Sequence, residues 1–233
     1  LLYGLAGAVA LVALLLAFNW WRERRADAAR FALGQAIKIA DAPVSATPQP
    51  GQSGPTFATE RERAQKAVEA FQKVQNDYGS PYKEVARYMA AANLLSVDRP
   101  KGLSELEALS KDGDADVAAR ARFALAQARE ADAQYDAAAA GYQELLKTGA
   151  ASVSPNAVKL RLAAVYEKQG KKEEAVNLLF QMVEAARNAK GKDGKPLPES
   201  TVTRTAADKL QELSPERYAQ LPKEPAPAGL LGS

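Results

Sequence analysis

Residues 117–149 read VAARARFALAQAREADAQYDAAAAGYQELLKTG, and this stretch decides the fold. VAARARFALAQAREA is rich in Ala, Arg, Leu and Gln, strong helix formers, and holds no Gly or Pro. Gln134-Tyr135-Asp136 is expected to make a turn, after which AAAAGYQELLKTG forms a partner helix closed by Gly149. Two helices joined by so short a connection must lie side by side as a hairpin.

Working outward, the hairpin recurs. Downstream, Ser154-Pro155 opens NAVKLRLAAVYEKQG, Gly170 ends it, and KKEEAVNLLFQMVEAARNA returns. The small residues near the start of each second helix are Ala67, Gly102, Ala138 and Ala175, at intervals of 35, 36 and 37. Four positions on stand Phe71, Leu106, Tyr142 and Leu179, and three further stand Val74, Leu109, Leu145 and Met182. Met89-Ala90, Leu125-Ala126 and Leu162-Ala163 match in the first helices. A period near 34 with two helices per unit is the mark of tetratricopeptide repeats. Small residues let the helices of one hairpin approach, and large ones fill the seam with the next. The pattern departs from the motif where Ala86, Arg122 and Lys159 replace the usual first-helix Trp, and where Arg129 replaces a common aromatic.

Upstream, Thr59 and Glu62 form a capping box ahead of Ala64, Ala67, Val68, Phe71, Val74 and Tyr78, one face of an amphipathic helix. Ser80 is expected to cap the next helix with Pro81 in its first turn, and Asp98-Arg99-Pro100 to break it. A short helix ending near Asp112-Gly113 follows. Near the C-terminus, a helix over 200–213 places Val202, Ala206, Leu210 and Leu213 on one stripe, and one turn around Arg217-Tyr218 leads into a loosely held Pro-rich tail.

The N-terminal run LLYGLAGAVALVALLLAFNWW carries no charge through Phe18. At about 1.5 Å per residue it spans roughly 30 Å, a bilayer core, where only a helix satisfies its backbone. Trp20 and Trp21 fall where an aromatic belt belongs, with Arg22, Arg24 and Arg25 in the headgroup layer. A buried core helix would carry a polar face, and a cleaved signal would end in small-x-small rather than Ala17-Phe18-Asn19-Trp20. The reading is a membrane anchor preceded by a further segment. RERRADAARFALGQAIKIA continues the helix, with a bend near Gly34, and DAPVSATPQPGQSGPT is a solvated connector.

The expected fold is all-α: a single N-terminal transmembrane helix followed by a tetratricopeptide-repeat-like α-solenoid of helical hairpins. Its parts are a transmembrane helix (1–21), a membrane-proximal continuation (22–40), a Pro/Ser/Gly-rich loop (41–58), repeats with a capping helix (59–213) and a Pro-rich tail (214–233).

Composition narrows function. With 31 Lys and Arg against 28 Asp and Glu, both signs interspersed, no basic surface argues for nucleic acid. There is no Cys and no His, which excludes disulfides, the common zinc ligand sets and the Ser-His-Asp and Cys-His constellations. No paired carboxylates stand out, so neither catalysis, metal nor cofactor is expected.

The glycine- and alanine-rich span, Trp20-Trp21 and ADAARFALGQAI after it resemble bacterial inner-membrane proteins with one N-terminal helix and a tetratricopeptide-like periplasmic domain, typified by the ancillary subunit of the Sec translocon. The resemblance implies a single-pass inner-membrane protein whose domain faces the periplasm and contacts translocon components and chaperones. Read alone, Arg22, Arg24 and Arg25 would favour the opposite orientation, although Glu23 and Asp27 dilute them. Two functions follow: a non-catalytic, membrane-anchored protein–protein interaction scaffold, or an accessory structural subunit of a larger membrane complex, held by its helix through a Gly4, Gly7, Ala10 face. In a repeat array the first helices line the concave surface. That register puts Glu84, Arg87, Arg120, Phe123, Gln127, Glu130, Leu160 and Glu167 inward as partner-binding residues, with Phe123 as the anchor unless it belongs to the core.

Overall fold

The computed structural model describes residues 2–45, 54–149 and 151–224, with side chains from Leu14 onward. Among the described residues ten helices run in order: α1 Leu2–Ala40, α2 Glu60–Asp77, α3 Tyr82–Val97, α4 Arg99–Leu109, α5 Ala115–Ala131, α6 Tyr135–Thr148, α7 Pro155–Lys168, α8 Lys172–Asn188, α9 Thr201–Leu213 and α10 Pro215–Tyr218. Among the described residues extended pairing is limited to two isolated bridges, Val44 with Phe57 and Lys190 with Pro196. The chain forms two compact units, residues 1–106 and 107–233.

In the first unit α1 lies against α2 and α3. Ala36 of α1 enters a core with Ala67, Phe71, Val74, Ala86 and Ala90. Thr59 starts α2 in an extended conformation and its hydroxyl accepts the Glu62 amide at 3.1 Å. The return bond of the box falls one residue early, with the Glu62 carboxylate taking the Ala58 amide at 3.1 Å. The start of α3 differs from the expected Ser80 cap. Pro81 itself holds the cap position, and the Ser80 hydroxyl donates to the Glu84 carboxylate at 2.6 Å. Asp98 breaks α3 as expected, and Arg99-Pro100 opens α4, because a proline in the first turn lacks only an amide that would be unpaired there anyway. Gly102 explains why α4 can lie on α3: a Cβ there would stand 2.7 Å from the Leu95 amide nitrogen.

In the second unit each helix from α5 to α9 packs on the next, a solenoid-like succession of hairpins. Asp114 caps α5 by accepting the Asp116 and Val117 amides at 2.9 and 3.1 Å. The α5–α6 connection, residues 132–134, lies two residues before the expected turn, with Tyr135 already helical. Gln134 donates back to the Arg129 carbonyl at 2.8 Å, and Lys171 repeats this bond to Tyr166 at 2.9 Å in the α7–α8 turn. Both turns need a left-handed residue: Gly170 supplies it at φ 75°, Ala133 at φ 57°.

The aligned positions of the second helices are interior. Ala67, Gly102, Ala138 and Ala175 are buried, as are the two large residues below each of them. In the second unit one core forms around Tyr142 and Leu162 and another around Leu179, Met182 and Leu210.

The expected membrane span falls for residues 1–13 on side chains outside the described ones. Among the described residues no helix is long and apolar enough to cross a membrane. Large apolar side chains are nonetheless exposed on α1 at Leu14, Leu15, Leu16, Phe18, Trp20 and Trp21. The side chains of the Gly4, Gly7, Ala10 face and residues 46–53 of the Pro-rich loop also lie outside the described residues.

The start of the tail is not loosely held. Arg187 of α8 and Glu199 meet at 2.6 Å with their side chains only 5% and 3% exposed. The same guanidinium donates to the Pro222 carbonyl at 2.9 Å and lies over the Tyr218 ring. Burial opposes the Arg187 charge, but Glu199 and Tyr218 outweigh it and hold its pKa above the usual value. Arg217 covers Phe180 in turn.

Candidate functional site

The α5 residues proposed from sequence, Arg120, Phe123, Gln127 and Glu130, recur at steps of three and four and share one stripe, each half-buried. Phe123 and Glu130 meet through a side chain the sequence reading had given to the core. Tyr142 of α6 is fully buried, its ring 5.8 Å from that of Phe123 and its hydroxyl 2.8 Å from the Glu130 carboxylate, to which it donates. Burial, then the Glu130 hydrogen bond and charge, push the Tyr142 phenol well above its ordinary pKa. Glu130 also faces Arg161 of α7 at 3.4 Å. The stripe is thus tied across three helices, with a ring, a carboxylate and a guanidinium in sequence.

Phe123 sits at an edge: part of its ring packs on the core around Tyr142, and part is open. It is a core residue with an exposed face rather than a free anchor. Leu160 is half-buried against the neighbouring core around Leu179. Glu167 accepts from the Lys209 ammonium of α9 at 3.0 Å. Gln143 donates to the Tyr166 hydroxyl at 2.8 Å, which ties that phenol of α7 to α6.

Glu84 and Arg87 belong to the other unit. One Glu84 oxygen is engaged by Ser80, while its Oε2 is buried and has no partner. Arg87 reaches the Glu105 carboxylate at 3.5 Å. It lines a groove of about 300 Å³ with Gln72, Gln75, Asn76 and Lys101 over a floor of Ala90, Ala91 and Leu94. The three amides were missed by the sequence reading, although 72, 75 and 76 fall one helical turn apart and share a face. Arg161 was missed because an isolated arginine on an exposed helix face carries no periodic signal.

Of the residues expected at a membrane interface, Trp20 and Trp21 are more than half exposed. Arg24 stacks over Trp20 at 4.5 Å and Arg25 over Trp21 at 5.4 Å, both within cation–π range. Arg22 is exposed one residue beyond the pair. Arg25 has a second partner, donating to the Asp77 carbonyl at 3.2 Å and closing the C-terminal end of α2. Among the described residues no cluster of three or more acidic side chains could hold a metal ion.

Chemically, the groove of the first unit offers a shallow surface with charges and amides around a small apolar floor. No family model, no curated protein and no solved structure matches this chain.

Proposed function

We propose that this chain is a non-catalytic, membrane-anchored scaffold that presents tetratricopeptide-type hairpins to other proteins. On the resemblance of its first 38 residues, it belongs in a bacterial inner membrane with the domain in the periplasm, near the translocon or its chaperones. The observation that carries the reading is the continuity of α1. One helix of 39 residues joins a stretch of exposed large apolar side chains, Leu14 to Trp21, directly to Ala29 and Ala36, which are buried in the first unit. A helix exposing that much apolar surface needs an apolar environment. The absence of a loop between the two parts holds the domain close to whatever covers them.

Alkaline carbonate extraction of native membranes tests the anchor: the chain stays in the pellet if the reading holds and is released if it fails. Trypsin treatment of spheroplasts tests orientation, with degradation of the hairpins expected and protection overturning the periplasmic placement.

A second reading, an accessory subunit of a larger membrane complex, is favoured by Phe31. It stands on α1 beyond the apolar stretch, 70% exposed, on the side away from Ala29 and Ala36. Co-purification separates the two. A stoichiometric partner that survives detergent and high salt supports the subunit, and a salt-labile partner supports the scaffold.

A further inference from the structure

A concavity of about 540 Å³ lies in the first unit between α1 and the turn from α2 to α3. Helix α1 gives it Arg22, Arg25, Ala29 and Arg30, and the turn gives it Tyr78 and Tyr82. Glu23 also lines it, so its wall carries three arginines against one carboxylate. Asp27, close by on α1, is engaged by Arg30 at 2.8 Å. Even with Asp27 counted beside Glu23, arginines outnumber carboxylates by one, so the notch is weakly cationic.

We propose that this notch seats the phosphate headgroup of an anionic membrane lipid, whose acyl chains lie along α1. The proposal rests on the anchor reading and deepens it. Leu14, Leu15, Phe18, Arg22, Arg25 and Ala29 recur at three- and four-residue steps, which places them on one helix face. Leu14, Leu15 and Phe18 are 70%, 59% and 58% exposed. An uncovered apolar track thus leads into the basic notch, the shape of a lipid with its tail and its head. A free phosphate would use only the second half.

Depth agrees. Arg25 lies four residues beyond Trp21, about 6 Å along the axis, and Arg22 lies closer still. That distance matches the headgroup layer on one side of a bilayer core, about 5–8 Å. The guanidinium fork suits phosphate oxygens better than an ammonium would. Arg25 is already held by the Asp77 carbonyl and the Trp21 ring, so little side-chain freedom remains to be lost on binding. Tyr78 and Tyr82 close the far wall with amphipathic rings.

The test uses the full chain in phosphatidylcholine nanodiscs doped with phosphatidylglycerol, followed by native mass spectrometry of the released protein. Wild type should retain phosphatidylglycerol in preference to phosphatidylcholine. Arg22→Gln should lower that retention about tenfold, the loss of one charge-assisted hydrogen bond from guanidinium to phosphate. Arg22→Lys should restore part of it. Arg24→Gln removes the same charge from the other side of α1, over Trp20, and should leave retention near wild type. Equal losses in Arg22→Gln and Arg24→Gln would overturn the notch in favour of bulk charge. Displacement of the lipid by inorganic phosphate alone, with no effect of acyl chains, would overturn the lipid in favour of a soluble anion. Carbonate extraction in parallel keeps the two readings apart. Release of the wild type refutes the anchor, whereas a retained wild type without lipid preference refutes the notch alone.

Discussion

The phenolic hydroxyl of Tyr142 donates to the Glu130 carboxylate at 2.8 Å, so the largest buried side chain of α6 is tied by its tip to the polar stripe of α5. Tyr142→Phe keeps the packing and removes only this bond. Glu130 remains opposite Arg161. The loss should be roughly 1.5–3 kcal/mol, the range for a hydrogen bond to a charged group, read from chemical denaturation.

The same bond has a pH signature. The folded-state pKa of Tyr142 is raised above its ordinary 10.0. Its contribution is therefore complete below that value and is lost as pH rises through the higher folded-state pKa. Wild-type stability should fall from pH 9 to 11 more steeply than that of Tyr142→Phe. Parallel curves would show that the phenol titrates freely.

Ala133 stands where the equivalent turn of the next hairpin has Gly170, and both adopt positive φ. A Cβ in the left-handed region costs about 1–2 kcal/mol, partly offset by the larger chain entropy of glycine. Ala133→Gly should stabilise the domain by about 0.5–1 kcal/mol, seen as a higher Tm. Gly170→Ala should do the reverse.

The repeat register makes its own prediction. Ala138 and Ala175 are fully buried at the hairpin seams, so Ala138→Leu or Ala175→Leu should cost roughly 1–3 kcal/mol by overfilling. Gly102→Ala should also destabilise, because its Cβ would press on the Leu95 backbone rather than on a side chain that can rotate. Neutral melts for all three would mean that the seams are looser than their burial implies.

These residues also show what the sequence could reveal. Ala67, Ala138 and Ala175 were legible because a close helix seam demands a small residue once per hairpin, and demand of that kind repeats. Phe123 was legible as a position but not as a role: its spacing is the same whether the ring faces solvent or Tyr142, and only the packing of α6 decides that it does both. Arg25 was read for its charge, yet its bond to the Asp77 carbonyl joins residues 52 apart, which no periodicity encodes. The polar groove escaped notice for a related reason. Gln72, Gln75 and Asn76 look like any solvated helix face until α3 and α4 bring Arg87 and Lys101 opposite them.

Arg187 gives the last prediction. It is the joint between α8, the loop before α9 and the chain after α10, through Glu199, Tyr218 and the Pro222 carbonyl. The pair is nearly dry, so removing one partner strands the other's charge. Arg187→Ala should therefore cost about 3–5 kcal/mol, as for other buried pairs broken on one side. Arg187→Lys should recover only part, since an ammonium cannot serve Glu199 and Pro222 from one planar fork. Replacing both charges, Arg187→Met with Glu199→Leu, should be milder than Arg187→Ala because no charge is stranded. Limited proteolysis gives the local readout. Trypsin should cut at Lys223 and within residues 190–195 sooner in Arg187→Ala than in wild type, while fragments spanning α5 to α7 persist. Simultaneous loss of all fragments would mean that Arg187 holds the whole second unit together rather than its C-terminal end.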